Sequence, residues 1–386
     1  MKILVVTGTR AEFGLLQALL VEIQASPKLD LELVVTGSHL LSKFGMTINL
    51  IEDAGFKVGK KVSATRDAKN GAEVGIQVGK GITEFVSVFE STEPSVVLVV
   101  GDRYETFAAA VAAFFLEIPI VHVHGGEVTR GALDDSLRHA ITKLASVHCV
   151  SHPAYASRVI QLGEQPDSVH VVGSLGVDQL SGIVLKNRAA LEADLGISLR
   201  AQIFLVTYHP VTNGERDSSV EARALVEALE AFPEATVVLS MPNADPGHEA
   251  IAGVLQEAAE LNPGKWYFFP SLGQINYWSL MAISTAVVGN SSSGILEAPF
   301  FSVPTVNVGP RQDGRVSAPS VLNCDPSKVS LLKALRRASS KEFRDSIPVD
   351  NNPYTTGGAA KSIRIILESM SGKQAGRKIF YDALRE

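Results

Sequence analysis

Short runs of uninterrupted apolar residues punctuate the chain: KILVVT, LELVVTG, SVVLVVGD, IPIVHVHG, VHCVSH and VHVVGS. Longer segments of helical period separate them. Strands apolar at every position are buried on both faces, and their alternation with helices makes the sheet parallel. A polar stretch over 178–200 interrupts the series, which restarts with QIFLVTYHP, ATVVLSMPN, KWYFFPS, TAVVGNS and VPTVNVG. The pattern predicts an α/β protein with two doubly wound, Rossmann-like domains, over 1–177 and 178–360.

Ligands of open parallel sheets bind beyond the carboxyl ends of the strands. The unusual polar stretches of this chain fall there: GTRAEFG, GDRYE and HGGEVTRGALDD in the first half, then YHPVTNGE, PNADPG, GNSSSGILE and GPRQDGR in the second. Two domains facing a cleft would bring both sets together, so an interdomain active site is expected.

Composition narrows the function. With 386 residues, 46% of them hydrophobic, the chain can bury two sizeable cores. Its formal net charge of -6 gives no global field to recruit nucleic acid or an anionic membrane. Cys149 and Cys324 form neither a CxxC pair nor a disulfide spacing, which fits a reducing cytosol. MKILVVTGTR enters a strand pattern directly, without a signal-peptide core, and no run approaches the roughly 20 apolar residues of a membrane span. A cytoplasmic protein with a small-molecule partner is expected.

No GxGxxG or GxxxxGK[ST] loop follows a strand, which weighs against NAD and ATP and leaves phosphate to be met elsewhere. The turn Gly289, Asn290, Ser291, Ser292, Ser293 would offer hydroxyls and backbone N–H groups to an anion before a short helix near Gly294. Glu297, one turn on, would accept from an attached ribose. The structural alternative is a serine-capped helix carrying an exposed acid. Arg10 and Arg311, on turns after strands, suit a diphosphate, or surface ion pairs.

The first half supplies acids. Asp102 and Asp134 read as helix N-caps, with Arg103 a flanking cation, and Glu127 as part of a tight turn. Together, beside His122, His124 and Arg138, they read instead as acid/base equipment. His209 ends a strand, as a structural residue, a phosphate donor or a proton carrier. The HVH pair alone is weak metal-binding grounds, and neither metal nor cofactor is expected.

The ordered set GTRAEFGLL, GDRYE, HGGEVTRGALDDSLRHAITKL, YHPVT, GNSSSGILEAP and PTVNVGPRQDGR resembles, over nearly the whole chain, the hydrolysing UDP-N-acetylglucosamine 2-epimerases of the sialic-acid branch. The resemblance implies a glycosyltransferase-B-like fold whose C-terminal segment, 361–386, packs back on the first domain. It also implies a dimer or tetramer. The implied reaction removes the proton at C2 of the sugar, eliminates UDP to a 2-acetamidoglucal, and adds water, releasing N-acetylmannosamine and UDP. By the same resemblance, Asp102, Glu127 and Asp134, with His124 and His209, are the catalytic candidates. Arg10, Arg103, His209, Asn290, Ser291, Ser292, Glu297 and Arg311 would hold the nucleotide sugar.

Two departures matter. Some members have an acid where His124 stands, leaving the third catalytic group open between His124 and Glu127. Leu15 and Leu16 occupy the region where non-hydrolysing members carry a lysine, favouring hydrolysis. Close relatives of this branch act on UDP- or GDP-linked 2,4-diacetamido-6-deoxy sugars, so the substrate is open between these and UDP-N-acetylglucosamine. A glycosyltransferase of the same fold and a nucleotide-sugar binding protein without chemistry are the other readings.

Overall fold

The run KILVVT forms β1 (Lys2–Thr7), buried over its last five residues. Six further strands join it: β2 (Asp30–Val35), β3 (Val58–Lys61), β4 (Val96–Val100), β5 (Ile120–Val123), β6 (Val147–Val150) and β7 (Val169–Val171). All pairs are parallel, in the order β3-β2-β1-β4-β5-β6-β7. Period-two alternation splits β1 between two cores: Ile3 and Val5 face one cluster, Leu4 and Val6 the other. Helices Arg10–Ala25 and Ala359–Ser369 contribute to the first, and helices Gly71–Thr92 and Tyr104–Phe115 to the second. The last two approach closely because Gly81 meets Ala108, where an added Cβ would lie 3.2 Å from the alanine methyl.

The computed structural model describes residues 1–42, 45–64, 70–129, 133–211, 218–242, 247–350, 352–355, 357–370 and 378–382. The chain divides into two units, one of Met1–Glu127, Leu133–Gln179 and Tyr354–Glu386, the other of Val128–Ala132 and Leu180–Pro353. The second unit contains β8 (Ile203–Thr207), β9 (Thr236–Ser240), β10 (Trp266–Phe269), β11 (Ala286–Gly289), β12 (Thr305–Val308) and β13 (Val321–Cys324), all parallel, in the order β10-β9-β8-β11-β12-β13. Phe204 and Val206 face one core, Ile203 and Leu205 the other.

Strand order reverses between β1 and β4 in the first sheet and between β8 and β11 in the second. The GTR and GDR turns therefore leave neighbouring strands, as do the YHP and GNSSSG turns. Strands β3 and β13 lie outside the sequence expectation. Both are sheet edges, and VGKK and VLNC carry too few buried positions to read as strands. The polar interruption over 178–200 contains helix Arg188–Leu195, capped by the Asn187 side chain at Ala190 N. Among the described residues, no helix is long and apolar enough to cross a membrane.

Candidate active site

In the first unit, Gly101 takes φ +74° after β4 and turns the chain into Asp102. Asp102 does not cap the helix that follows: Arg103 is the N-cap residue, and no side chain caps there. Instead the Asp102 carboxylate accepts from Nη2 of Arg138, whose side chain is 5% exposed. Arg138 Nη1 donates to the Glu127 carbonyl at 3.0 Å and lies 3.6 Å from Asp135. Asp134 stands inside the first turn of helix Leu133–Leu144, whereas the sequence placed it as the cap.

The double glycine has a local reason. Gly126 takes φ +76°, and a Cβ there would lie 2.5 Å from the Tyr155 carbonyl oxygen. His124, just past β5, takes the left-handed φ of +65° and so leaves the strand face that His122 occupies. His124 Nδ1 meets Glu127 Oε1 at 2.7 Å, and the Ser151 hydroxyl donates to the same oxygen at 2.9 Å. His122 is pinned differently, Nε2 to the Gly101 carbonyl at 2.8 Å and Nδ1 to the Thr142 hydroxyl at 3.2 Å. Burial pushes its pKa down to about 3, so this ring is a neutral tie between strands. Among the described residues, no group of three or more His, Cys, Asp or Glu is placed to hold a metal.

Arg10 is the exposed first residue of its helix, whose entry Thr9 and Glu12 fix as a capping box. Glu12 accepts from Gly8 N at 2.7 Å and Thr9 N at 3.0 Å, and burial lifts its carboxyl to about 7. Arg103 pairs with Glu105, Nε to Oε2 at 3.2 Å. The sequence reading missed Glu12, although the spacing in TRAE carries the capping-box signal; it also passed over Glu105 and Ser151, for which no local signal exists.

In the second unit Asn290 is fully buried and works as a knot. Its Oδ1 accepts from His209 N at 2.7 Å, and its Nδ2 donates to His209 O at 2.8 Å. Its own carbonyl accepts from Arg311 Nη1 at 3.1 Å and Gln312 Nε2 at 2.8 Å. The ends of β8, β11 and β12 are thereby joined. Burial, and then Arg311, push the His209 pKa down to about 3, so its ring is a neutral hydrogen-bonding group. The TNGE part of YHPVTNGE, the NADP part of PNADPG and the RGA part of HGGEVTRGALDD lie outside the described residues.

The serine turn leads into a helix of only four residues, Ser293–Leu296, whose first N–H groups are occupied: Gly294 N donates to the Ser291 carbonyl at 3.3 Å and Ile295 N to that of Ser292 at 3.0 Å. The backbone N–H groups that the sequence offered to an anion at this turn are therefore engaged within it. Ser293 is buried, bonded to Tyr277 Oη at 2.7 Å, and donates to Ser291 Oγ at 3.0 Å. That arrangement leaves the Ser291 proton for an outside acceptor. Glu297 accepts from Trp278 Nε1 at 2.7 Å, and burial raises its carboxyl to about 7 despite that bond.

A family model described as UDP-N-acetylglucosamine 2-epimerase matches residues 21–368. A hydrolysing GDP/UDP-N,N'-diacetylbacillosamine 2-epimerase from Campylobacter jejuni is 36% identical over 345 residues, covering 89% of either chain. A UDP-N-acetylglucosamine 2-epimerase from Neisseria meningitidis serogroup B is 32% identical over 381 residues, 99% of either chain. Among solved structures, the Neisseria meningitidis UDP-GlcNAc 2-epimerase bound to UDP-GlcNAc matches with a TM-score of 0.82 at 19% identity, over 95% of this chain and 99% of that one. The two parallel-sheet α/β units are thus those of a glycosyltransferase-B-like fold. With the family model spanning most of its length, the chain belongs to the UDP-N-acetylglucosamine 2-epimerase family, among relatives of its hydrolysing branch.

Proposed function

We propose that this protein is a hydrolysing 2-epimerase of a nucleotide-linked 2-acetamido sugar, releasing the free 2-epimerised sugar and UDP. The observation that carries the reading is the Asp102 carboxylate held by buried Arg138, on the turn beside the His124–Glu127 pair. Inverting C2 requires a base to remove its hydrogen and an acid to return one to the opposite face. Asp102 and Asp134 are assigned the acid/base work, with His124 and Glu127 supplying the third group. The C2–H bond breaks, its electron pair forms the C1=C2 bond of a 2-acetamidoglucal, and the C1–O bond to UDP breaks with its pair on the diphosphate. Water then adds at C1 and a proton at C2.

The diphosphate gains charge as it leaves, and fixed donors aimed at it lower the barrier. Arg10, Arg103, Arg311, His209, Ser291 and Ser292 are assigned to it, and Glu297 to the ribose hydroxyls. Asn290 serves this set by fastening His209 and Arg311 to one turn.

UDP-N-acetylglucosamine, giving N-acetylmannosamine for sialic-acid-type synthesis, is the substrate that the sequence motifs favour. The Campylobacter relative supports a second reading, a 2,4-diacetamido-6-deoxy sugar linked to UDP or GDP. Incubating the enzyme with each nucleotide sugar alone in deuterated water tests both. The expected result is free UDP or GDP plus a free sugar of manno configuration carrying one solvent deuterium at C2. A requirement for an acceptor points to a glycosyltransferase, and binding without turnover to a non-catalytic protein. Retention of the original C2 hydrogen excludes the elimination route for either substrate.

A further inference from the structure

We propose that His124 is the third proton-transfer residue of this site, acting through Nε2, and that Glu127 and Ser151 are positioning residues that hold its ring. The inference rests on the elimination and hydration reading above. It resolves which of the two neighbours of the double glycine carries the proton.

Three observations converge on the ring. First, His124 is 7% exposed, yet among the described residues its Nε2 has no hydrogen-bond partner. Buried polar atoms are nearly always paired, and one left open in a native site marks a place for something else to bind. His122, two residues earlier, shows the contrast: both of its nitrogens are engaged, by Gly101 and Thr142.

Second, His124 holds a left-handed backbone, φ +65°, directly before two glycines. Glycine would take that conformation without cost, so the position retains an imidazole against backbone preference.

Third, the ring is oriented from its other side. Glu127 Oε1 accepts from Nδ1 at 2.7 Å while receiving the Ser151 hydroxyl at 2.9 Å. A carboxylate on Nδ1 keeps the proton there in the neutral ring and stabilises the imidazolium when Nε2 gains a second one. Glu127 is itself 4% exposed, with Oε1 receiving two donors, which suits an orienting carboxylate. The other charged groups about this turn are Arg138, donating to the Glu127 carbonyl and paired with Asp102, and Arg158, donating to the Gly126 carbonyl. His122, two residues away, stays uncharged.

The chemistry closes on the hydration half. The Nε2–H bond of the imidazolium breaks and its proton goes to C2, where the glucal π pair forms the new C2–H bond. Water captures the cation left at C1 through an oxygen lone pair. The proton that water sheds returns to Nε2, so the imidazolium is restored and water is the only reagent consumed.

The test uses His124→Gly, which removes the ring and suits the backbone, in the full chain with whichever nucleotide sugar the wild type turns over. Sugar formation is expected to fall about a hundredfold or more relative to UDP or GDP release, with 2-acetamidoglucal (or its 4-acetamido analogue) accumulating. Added free imidazole is expected to restore hydration. In Glu127→Gln, sugar formation should also fall relative to UDP or GDP release while the KM for the nucleotide sugar stays unchanged, a split that a merely structural loss would not give. Sugar formation within threefold of wild type in His124→Gly overturns the proposal, as does loss of both halves without imidazole rescue. Should Glu127→Gln fail to fold, the glycine variant alone decides. A wild type that releases nothing from any of the nucleotide sugars overturns the parent reading and this one with it, whereas normal wild-type turnover beside an indifferent glycine variant overturns only this one.

Discussion

Arg138 donates to Asp102 through one arm of its guanidinium and to the backbone carbonyl of Glu127 through the other. A single buried fork from helix Leu133–Leu144 thus ties the turns after β4 and β5, and its own helix brings Asp134 and Asp135 alongside. Asp102, assigned to the chemistry, and the turn carrying Glu127, which holds the His124 ring, are both fastened by it.

Asp102→Asn keeps the shape and an acceptor for Arg138 but removes the base. Turnover should fall about 10²–10⁴-fold with UDP affinity nearly unchanged. Calorimetric titration beside a product assay checks this, and near-normal turnover would return Asp102 to a structural role.

Arg138→Met should act on the fold. It leaves the Asp102 carboxylate and the Glu127 carbonyl without their shared donor. Breaking a buried pair costs about 3–5 kcal/mol, and Asp102, with its side chain 20% exposed, places the loss toward the low end. Denaturant unfolding measures it, and Arg138→Lys should recover little, because one ammonium cannot span both acceptors.

Glu297 gives a pH signature. Burial raises its folded carboxyl from 4.5 to about 7, so the stability linked to this group is fully present below 4.5 and is lost as pH rises through 7. Glu297→Gln, which still accepts from Trp278, should stabilise the unliganded protein at pH 8 by roughly 2–3 kcal/mol and do nothing at pH 4.5. It should also weaken UDP binding. Melting curves at the two pH values would sink the idea if the difference between wild type and variant did not change.

The sequence made the two sheets legible because their central strands are buried on both faces, as in the fully buried VVLVV of β4. The edges β3 and β13 escaped for the opposite reason, since an edge strand need not be apolar. The turns were legible as polar clusters at strand ends, but their internal wiring was not. Nothing local in the sequence says that Asn290 spends its amide on the His209 backbone, or that Ser293 turns inward to Tyr277. Those partners lie 81 and 16 residues away, the first brought together by the parallel pairing of β8 and β11, the second by a helix packed beside the turn. Asp102 and Asp134 read as caps because a short acid before a helix usually is one, whereas here Arg138 claims Asp102 first.

Asn290→Asp isolates the knot. It exchanges the Nδ2 donor for a carboxylate oxygen facing the His209 carbonyl, setting two acceptors against each other in a buried place. A loss of about 2–3 kcal/mol is expected, with UDP affinity falling because His209 and Arg311 lose their common anchor. Stability lost without any change in UDP affinity would make the knot purely structural.

Glu164, 1% exposed in its side chain, accepts from Lys143 at 2.6 Å, from His148 at 3.0 Å and from Lys378. Burial alone would raise its carboxyl, but the three donors outweigh it and hold the group at about 2. The associated stability is present above 4.5 and is lost as pH falls toward 2, about 3 kcal/mol in all. Lys378 also donates to the Thr142, Lys143 and Ala145 carbonyls, so it neutralises the C-terminal end of the helix whose other end carries Asp134 and Asp135. Next to it, Phe380 lies over the Lys143 ammonium at 5.3 Å, and Tyr381 N donates to the Gly163 carbonyl at 2.9 Å. Lys378→Met removes one donor from Glu164 and the cap from the helix in a single change. The thermal midpoint at pH 7 should drop by several degrees and the acid-unfolding midpoint should move to higher pH, while Lys378→Arg should retain most of both. Deleting 378–386 should reproduce the Lys378→Met shift and add the loss of the Phe380 and Tyr381 contacts. Unchanged acid unfolding in Lys378→Met would show that Lys143 and His148 suffice to hold the Glu164 charge.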